Sequence, residues 1–224
     1  TAITMLVIAL TATVAVVASR SGDEHPVVIG SAIQSHDASR VAAAQGAEDV
    51  RYDDLDLELV ASYVVDDGNL VTAEDVPSAH SDAWAQVGRT LPASAVGQIS
   101  QLNVITDGPN GTLAMVHRSG IDDGHWILSI DVAESPDVLE TTLIHEYAHM
   151  LTLRAEDLST APGACRGVTL TIGCASHSSA LATWADEFWL GTSEPAVPDA
   201  NRFVSEYAAS SVHEDLAESF LAYV

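Results

Sequence analysis

Leu139-Glu140-Thr141-Thr142-Leu143-Ile144-His145-Glu146-Tyr147-Ala148-His149-Met150-Leu151 is the stretch on which the rest of the chain is read. Leu139, Thr142, Leu143, Tyr147, Met150 and Leu151 recur at helical spacing behind Glu134-Ser135-Pro136-Asp137, which predicts a buried helix. Inside it, His145-Glu146-Tyr147-Ala148-His149 matches H-E-x-x-H. Residues four apart lie one turn above each other on the same helix face, so two imidazoles can grip one metal ion. Glu146, about 100° around the helix from His145, can address a water beside that ion as a general base. Two histidines and a glutamate in a helix otherwise rich in Leu, Ile and Met would be costly to bury without a partner, which favours a metal over histidines satisfied within a core.

Working outward toward the N-terminus, three runs have strand character: Gln101 to Thr106 (QLNVIT), Thr112 to His117 (TLAMVH) and Trp126 to Asp131 (WILSID). Asp107-Gly108-Pro109-Asn110-Gly111 and the Gly120 to Gly124 segment read as turns between them. Before these, Trp84, Val87 and Leu91 fall at helical spacing from Ser81, a candidate N-cap, and Pro92 should end or bend that helix. A small sheet followed by a long buried helix gives an α+β domain over residues 81–224. Leu181 to Leu190 (LATWADEFWL) adds a helix with Trp184, Phe188 and Trp189 expected on its buried side.

Residues 21–80 are rich in Asp, Glu, Ala and Ser and read as an acidic linker or pro-segment, in which Leu55 to Val65 (LDLELVASYVV) is a candidate strand or short helix packed on the main domain. Residues 1–20 contain an uncharged apolar run, Ile3 to Ala18, short for a membrane span and suited to the apolar region of a signal peptide. Signal peptide and uncleaved anchor both remain open, and either places the domain outside the cytoplasm, secreted or tethered. The balance of 32 acidic against 8 basic residues, a net charge of -24, repels phosphate backbones and argues against nucleic acid as a partner. In an exported chain the two cysteines, Cys165 and Cys174, read as a disulfide closing a short loop after the active-site helix.

A hydrolytic zinc ion takes three protein ligands and keeps one position for water, so a third ligand is expected downstream. Thr152 and Ala155 stand where the metzincin continuation needs Gly and His. His177 lies in a Ser-rich segment, and His213 adjoins a better candidate. Among the downstream glutamates only Glu214 has an acidic residue, Glu218, four positions on. That spacing lets Glu214 bind the metal while Glu218 takes the second N–H of a ligand histidine.

H-E-x-x-H completed by Glu-x-x-x-Glu resembles the gluzincins. The helix reading Glu214-Asp215-Leu216-Ala217-Glu218-Ser219-Phe220, with Tyr207 seven residues before Glu214, is similar to that of lethal-factor-like catalytic domains and related secreted bacterial zinc metallopeptidases. The resemblance covers roughly Ser81 to Val224. It implies a zincin-like fold with a small N-terminal sheet, an active-site helix and a mostly helical C-terminal part. It also implies one Zn2+ per chain on His145, His149 and Glu214, and peptide-bond hydrolysis with Glu146 as base, of the endopeptidase rather than the exopeptidase kind. Tyr207 would donate to the oxyanion, and strand 126–131 would form the cleft rim to which an extended peptide or protein substrate adds. Two other classes stay open: a zincin-fold module that binds peptides without turnover, and a zinc hydrolase of a non-peptide amide. Neither specificity nor oligomeric state is legible.

Overall fold

The computed structural model describes residues 52–224 apart from 56, 73, 109–110, 120–123, 134, 160–167, 171–172 and 191–195. Residues 1–51, and with them the apolar run and most of the acidic segment, lie outside the described residues. The fold is α+β. Its main sheet has five strands in the order β2-β1-β3-β5-β4, from β1 (Glu58–Asp66), β2 (Asn69–Val71), β3 (Ile99–Thr106), β4 (Ala114–Arg118) and β5 (Trp126–Asp131). β3 and β5 are parallel, and β1 and β4 run antiparallel to their neighbours. Asp67 and Gly68, both with positive φ, make the two-residue turn from β1 to β2. Between β3 and β4, Gly111 sits at φ 107 where a Cβ would collide with the Asp107 carboxylate, which accepts the Thr112 amide at 2.9 Å.

Alternation along the strands sorts the sheet into two faces. Val65, Leu102, Val116, Trp126, Leu128 and Ile130 belong to the larger core together with Val87 of helix α1 (Ser78–Thr90) and Leu143 and Met150 of helix α3 (Pro136–Thr152). On the other face Tyr52 and Leu57 pack with Ile105. There the Tyr52 hydroxyl bonds Ser129 Oγ at 2.7 Å and receives Asn103 Nδ2 at 2.6 Å, so the strand polar groups are satisfied where they are buried. Beyond α3 come a three-stranded ribbon ordered β6-β8-β7, from β6 (Leu158–Ser159), β7 (Thr169–Leu170) and β8 (Gly173–Ala175), then helices α4 (Ala180–Phe188) and α5 (Val212–Tyr223). Between α1 and β3 lies the short helix α2 (Ala93–Val96) behind Pro92.

Four expectations change. The domain boundary at Ser81 is too late, because β1 lies between β2 and β3 inside the sheet and the turn Tyr52–Leu55 covers one face. The acidic residues that suggested a linker sit at exposed positions of β1, such as Glu58 and Asp66, while Val65 points inward. Helix α1 starts at Ser78 behind Pro77 rather than at Ser81. Strand β5 cannot be a cleft rim, since β3 and β4 pair with it on both sides and every one of its residues is buried; β4 is the outer strand. Trp189, just after α4, is buried and Trp184 half-buried, but Phe188 is 49% exposed, its ring 4.3 Å from that of Trp184 on the outer side.

Candidate metal centre

Helix α3 owes its start to Ser135, whose side chain accepts the Val138 amide, and to Pro136 in the first turn, where a missing N–H costs nothing. At its other end the Arg118 guanidinium donates to the Leu153 carbonyl, Nε at 3.1 Å, which ties the helix to β4. Asp131 N bonds Leu113 O and Ser119 N bonds His125 O, so odd-numbered residues of β4 face β5 and the Val116 amide faces outward. That amide donates to Glu146 Oε2 at 2.9 Å. Strand and helix thereby fix where the carboxylate sits.

Helix α5 crosses α3 and brings the second half of the site. Ser211 caps it, accepting the Glu214 amide at 3.3 Å. Its Asp215 is clamped from α4 and the residue after it: the indole nitrogens of Trp184 and Trp189 both donate to Asp215 Oδ2 at 2.8 Å. Glu214 and Glu218 then face α3. Glu214 Oε2 is 2.9 Å from His145 Nε2 and 3.2 Å from His149 Nε2, and the two Nε2 atoms are 3.1 Å apart. All three side chains are buried, and they are a group that could hold a metal ion. A tetrahedral ion with ligand bonds of about 2.0–2.1 Å places neighbouring ligand atoms about 3.3 Å apart, close to this triangle. The donor set therefore fits such an ion.

Around the triangle the partners are directional. His145 Nδ1 bonds Glu218 Oε1 at 2.7 Å, and Glu218 Oε2 accepts Ser205 Oγ at 2.6 Å, which in turn accepts the Ala208 amide at 3.0 Å. The Tyr207 side chain interacts with the Glu214 carboxylate, and its ring lies 5.9 Å from that of His145. Burial works against a charged His145, but its bonds to Glu214 and Glu218 and the nearby Glu146 outweigh that and raise its pKa to about 10. Burial pushes the Glu146 carboxyl up, against the pull of His145 and His149. Glu214 is held well below the ordinary carboxylate range: burial opposes this, and His149 and His145 overcome it. Burial and the surrounding carboxylates raise Tyr207 well above its ordinary value, so it remains a hydrogen-bond donor.

Every residue singled out from the sequence for this site, His145, Glu146, His149, Tyr207, Glu214 and Glu218, lies in one cluster. Ser205, the Val116 amide and the two indoles on Asp215 were missed, because no spacing rule links them to α5 before the chain is folded. His213, passed over as a ligand, has its ring 5.7 Å from that of His149. Cys174 is fully buried in β8 and disulfide-bonded; Cys165, the other cysteine of the chain, lies outside the described residues. His177 is not part of the cluster. No helix among the described residues is long and apolar enough to cross a membrane. Compared with family models, curated proteins and solved structures, the chain has no match.

Proposed function

We propose that this chain is a zinc-dependent, zincin-like metallopeptidase that acts outside the cytoplasm on peptide or protein substrates. The observation that carries the reading is the convergence of His145 Nε2, His149 Nε2 and Glu214 Oε2 to within 3.2 Å of one another, with Glu146 buried on the same helix. A structural metal site has no use for a carboxylate beside its three ligands that binds no metal, whereas hydrolysis requires a base there. Zinc suits two imidazoles and a carboxylate, and when bound it would supply Lewis-acid activation of water and of the scissile carbonyl.

The protein's own groups do the rest. Glu146, held by the Val116 amide and raised by burial, takes a proton from the attacking water and passes it to the leaving nitrogen. Its raised pKa makes it a stronger base than a solvated glutamate and a competent acid in the second half of the reaction. Tyr207, protonated throughout, donates to the oxyanion as charge develops on it. Glu218 orients the His145 ring and Ser205 orients Glu218. An extended substrate would add to the outer edge of β4, whose backbone reaches the site at Val116.

The test is zinc analysis of the purified protein together with cleavage of a broad peptide library by wild type and by Glu146→Gln at equal zinc loading. The substitution keeps size and ligands, so zinc content should stay near wild type while turnover falls by at least ~10²-fold. Tyr207→Phe should lower turnover by about 10²-fold with zinc content unchanged. A wild type that retains library peptides without cutting any would make this a binding module instead. Equal cleavage by both proteins would remove Glu146 from the mechanism.

A further inference from the structure

Glu214 turns one oxygen, Oε2, toward His145 and His149, while its other oxygen, Oε1, is buried with no hydrogen bond. The atom facing Oε1 is His213 Nε2, at 3.4 Å. About half an ångström of side-chain movement would bring the pair to ordinary hydrogen-bond distance. The other ring nitrogen, Nδ1, is 2.9 Å from Ser211 Oγ. As the cap of α5, Ser211 Oγ already accepts the Glu214 amide, so its own hydrogen is available to His213 Nδ1. A ring that accepts at Nδ1 carries its hydrogen at Nε2. With that small movement the bonds would run in a closed circuit, from the Glu214 amide to Ser211 Oγ, on to His213 Nδ1, and from His213 Nε2 back to the carboxylate of the same Glu214.

We infer that His213 is a positioning residue: by holding Oε1 it makes Glu214 a ligand through Oε2 alone and keeps the remaining coordination position free for water and substrate. The inference rests on the metal-site reading above. A carboxylate with nothing on its second oxygen can close both oxygens onto one ion, which fills the position hydrolysis needs. His213 sits on the His149 side of the cluster, and Tyr207 on the His145 side.

Cobalt(II) titration of the full chain reads this directly, because visible absorption bands of cobalt(II) are intense at four-coordinate sites and weaken as coordination number rises. Wild type should give the intense spectrum. His213→Ala should give a weaker, shifted one, with cobalt affinity lowered on the order of 10-fold, as losses of ligand-supporting bonds do. His213→Gln, whose amide can still donate to Oε1, should restore most of both. Circular dichroism checks the fold. If the alanine variant does not fold, Ser211→Gly, which keeps an acceptable N-cap but frees the ring, should show the same spectral change more weakly. A His213→Ala protein with wild-type spectrum and affinity overturns the inference and leaves the metal site standing. A wild type that takes up no cobalt overturns the metal reading and the inference with it.

Discussion

His145 faces a carboxylate oxygen from each ring nitrogen, and its pKa of about 10 follows from that geometry against the cost of burial. A metal on Nε2 must displace that proton. Zinc binding at pH 7 should therefore release about one proton from this residue, and affinity should climb with pH up to about 10. Calorimetry in two buffers of different ionisation heat measures the proton count, and a value of zero would contradict the assignment. Glu218→Ala removes the partner of Nδ1 and should weaken zinc binding or activity about 10- to 100-fold, whereas Glu214→Ala should abolish stoichiometric binding. Away from the site, His117 is buried on β4 with its Nδ1 unpartnered, and burial lowers its pKa to about 4. The sign is that of a depressed group: between pH 6.5 and 4 the unfolded chain takes up a proton that the folded chain refuses, so stability is present above pH 6.5 and is lost as pH falls toward 4. On urea unfolding at pH 7 and pH 4.5, the loss should be about 2 kcal/mol smaller for His117→Gln than for wild type. Equal losses would mean that His117 is not kept neutral.

Two helices meet at the site, and each is held from outside it. Arg118 of β4 secures the end of α3, and the indoles of Trp184 and Trp189 secure Asp215 in the first turn of α5, where an acidic residue also suits the helix dipole. Asp215 follows the candidate ligand Glu214 directly in sequence, so its anchorage sets the position of Glu214. Trp189→Phe keeps most of the packing and loses one bond to a buried carboxylate. It should cost about 1.5–3 kcal/mol in chemical denaturation and lower zinc affinity as well. A variant that loses stability but binds zinc as tightly as wild type would show that α5 is positioned by packing alone. The period of three to four residues marked α3, α4 and α5 in the sequence to within a few positions. It misplaced Phe188, because Trp184 and Phe188 share a helix face that lies at the boundary of the core rather than inside it.

On the scale of the whole molecule, the five-stranded sheet reaches back to β1 and the turn at Tyr52, so the folding unit is longer than the motif-bearing part. A chain begun at residue 52 should fold cooperatively, while one begun at residue 81 should not, because β3 would lose its β1 partner and Ile105 its cover. Thermal melts of the two compare them directly; a cooperative transition in the shorter chain would return β1 to the status of an appendage. The reading that the domain is exported carries its own check, since protein made in an oxidising compartment should show Cys165 joined to Cys174 by non-reducing mass spectrometry. Two free thiols would count against it.

Local spacing was enough to group the candidate site residues of one helix. His145, Glu146 and His149 lie within five residues, so the helical repeat alone puts two imidazoles on one face. Glu214 and Glu218 were legible for the same reason, because four-residue spacing puts both carboxylates on one helix face, and the structure sets Glu214 Oε2 against His145 Nε2 and Glu218 Oε1 against His145 Nδ1. Tertiary structure decided everything that depends on which elements become neighbours. It put β4 and not β5 at the outer end of the sheet, since strand order is set by crossovers that strand propensity does not encode. It brought the Val116 amide to Glu146, Ser205 to Glu218 and the indoles of α4 and its following residue to Asp215. Each of these contacts joins residues far apart in the chain or on different elements, so no periodicity within a single element could announce them.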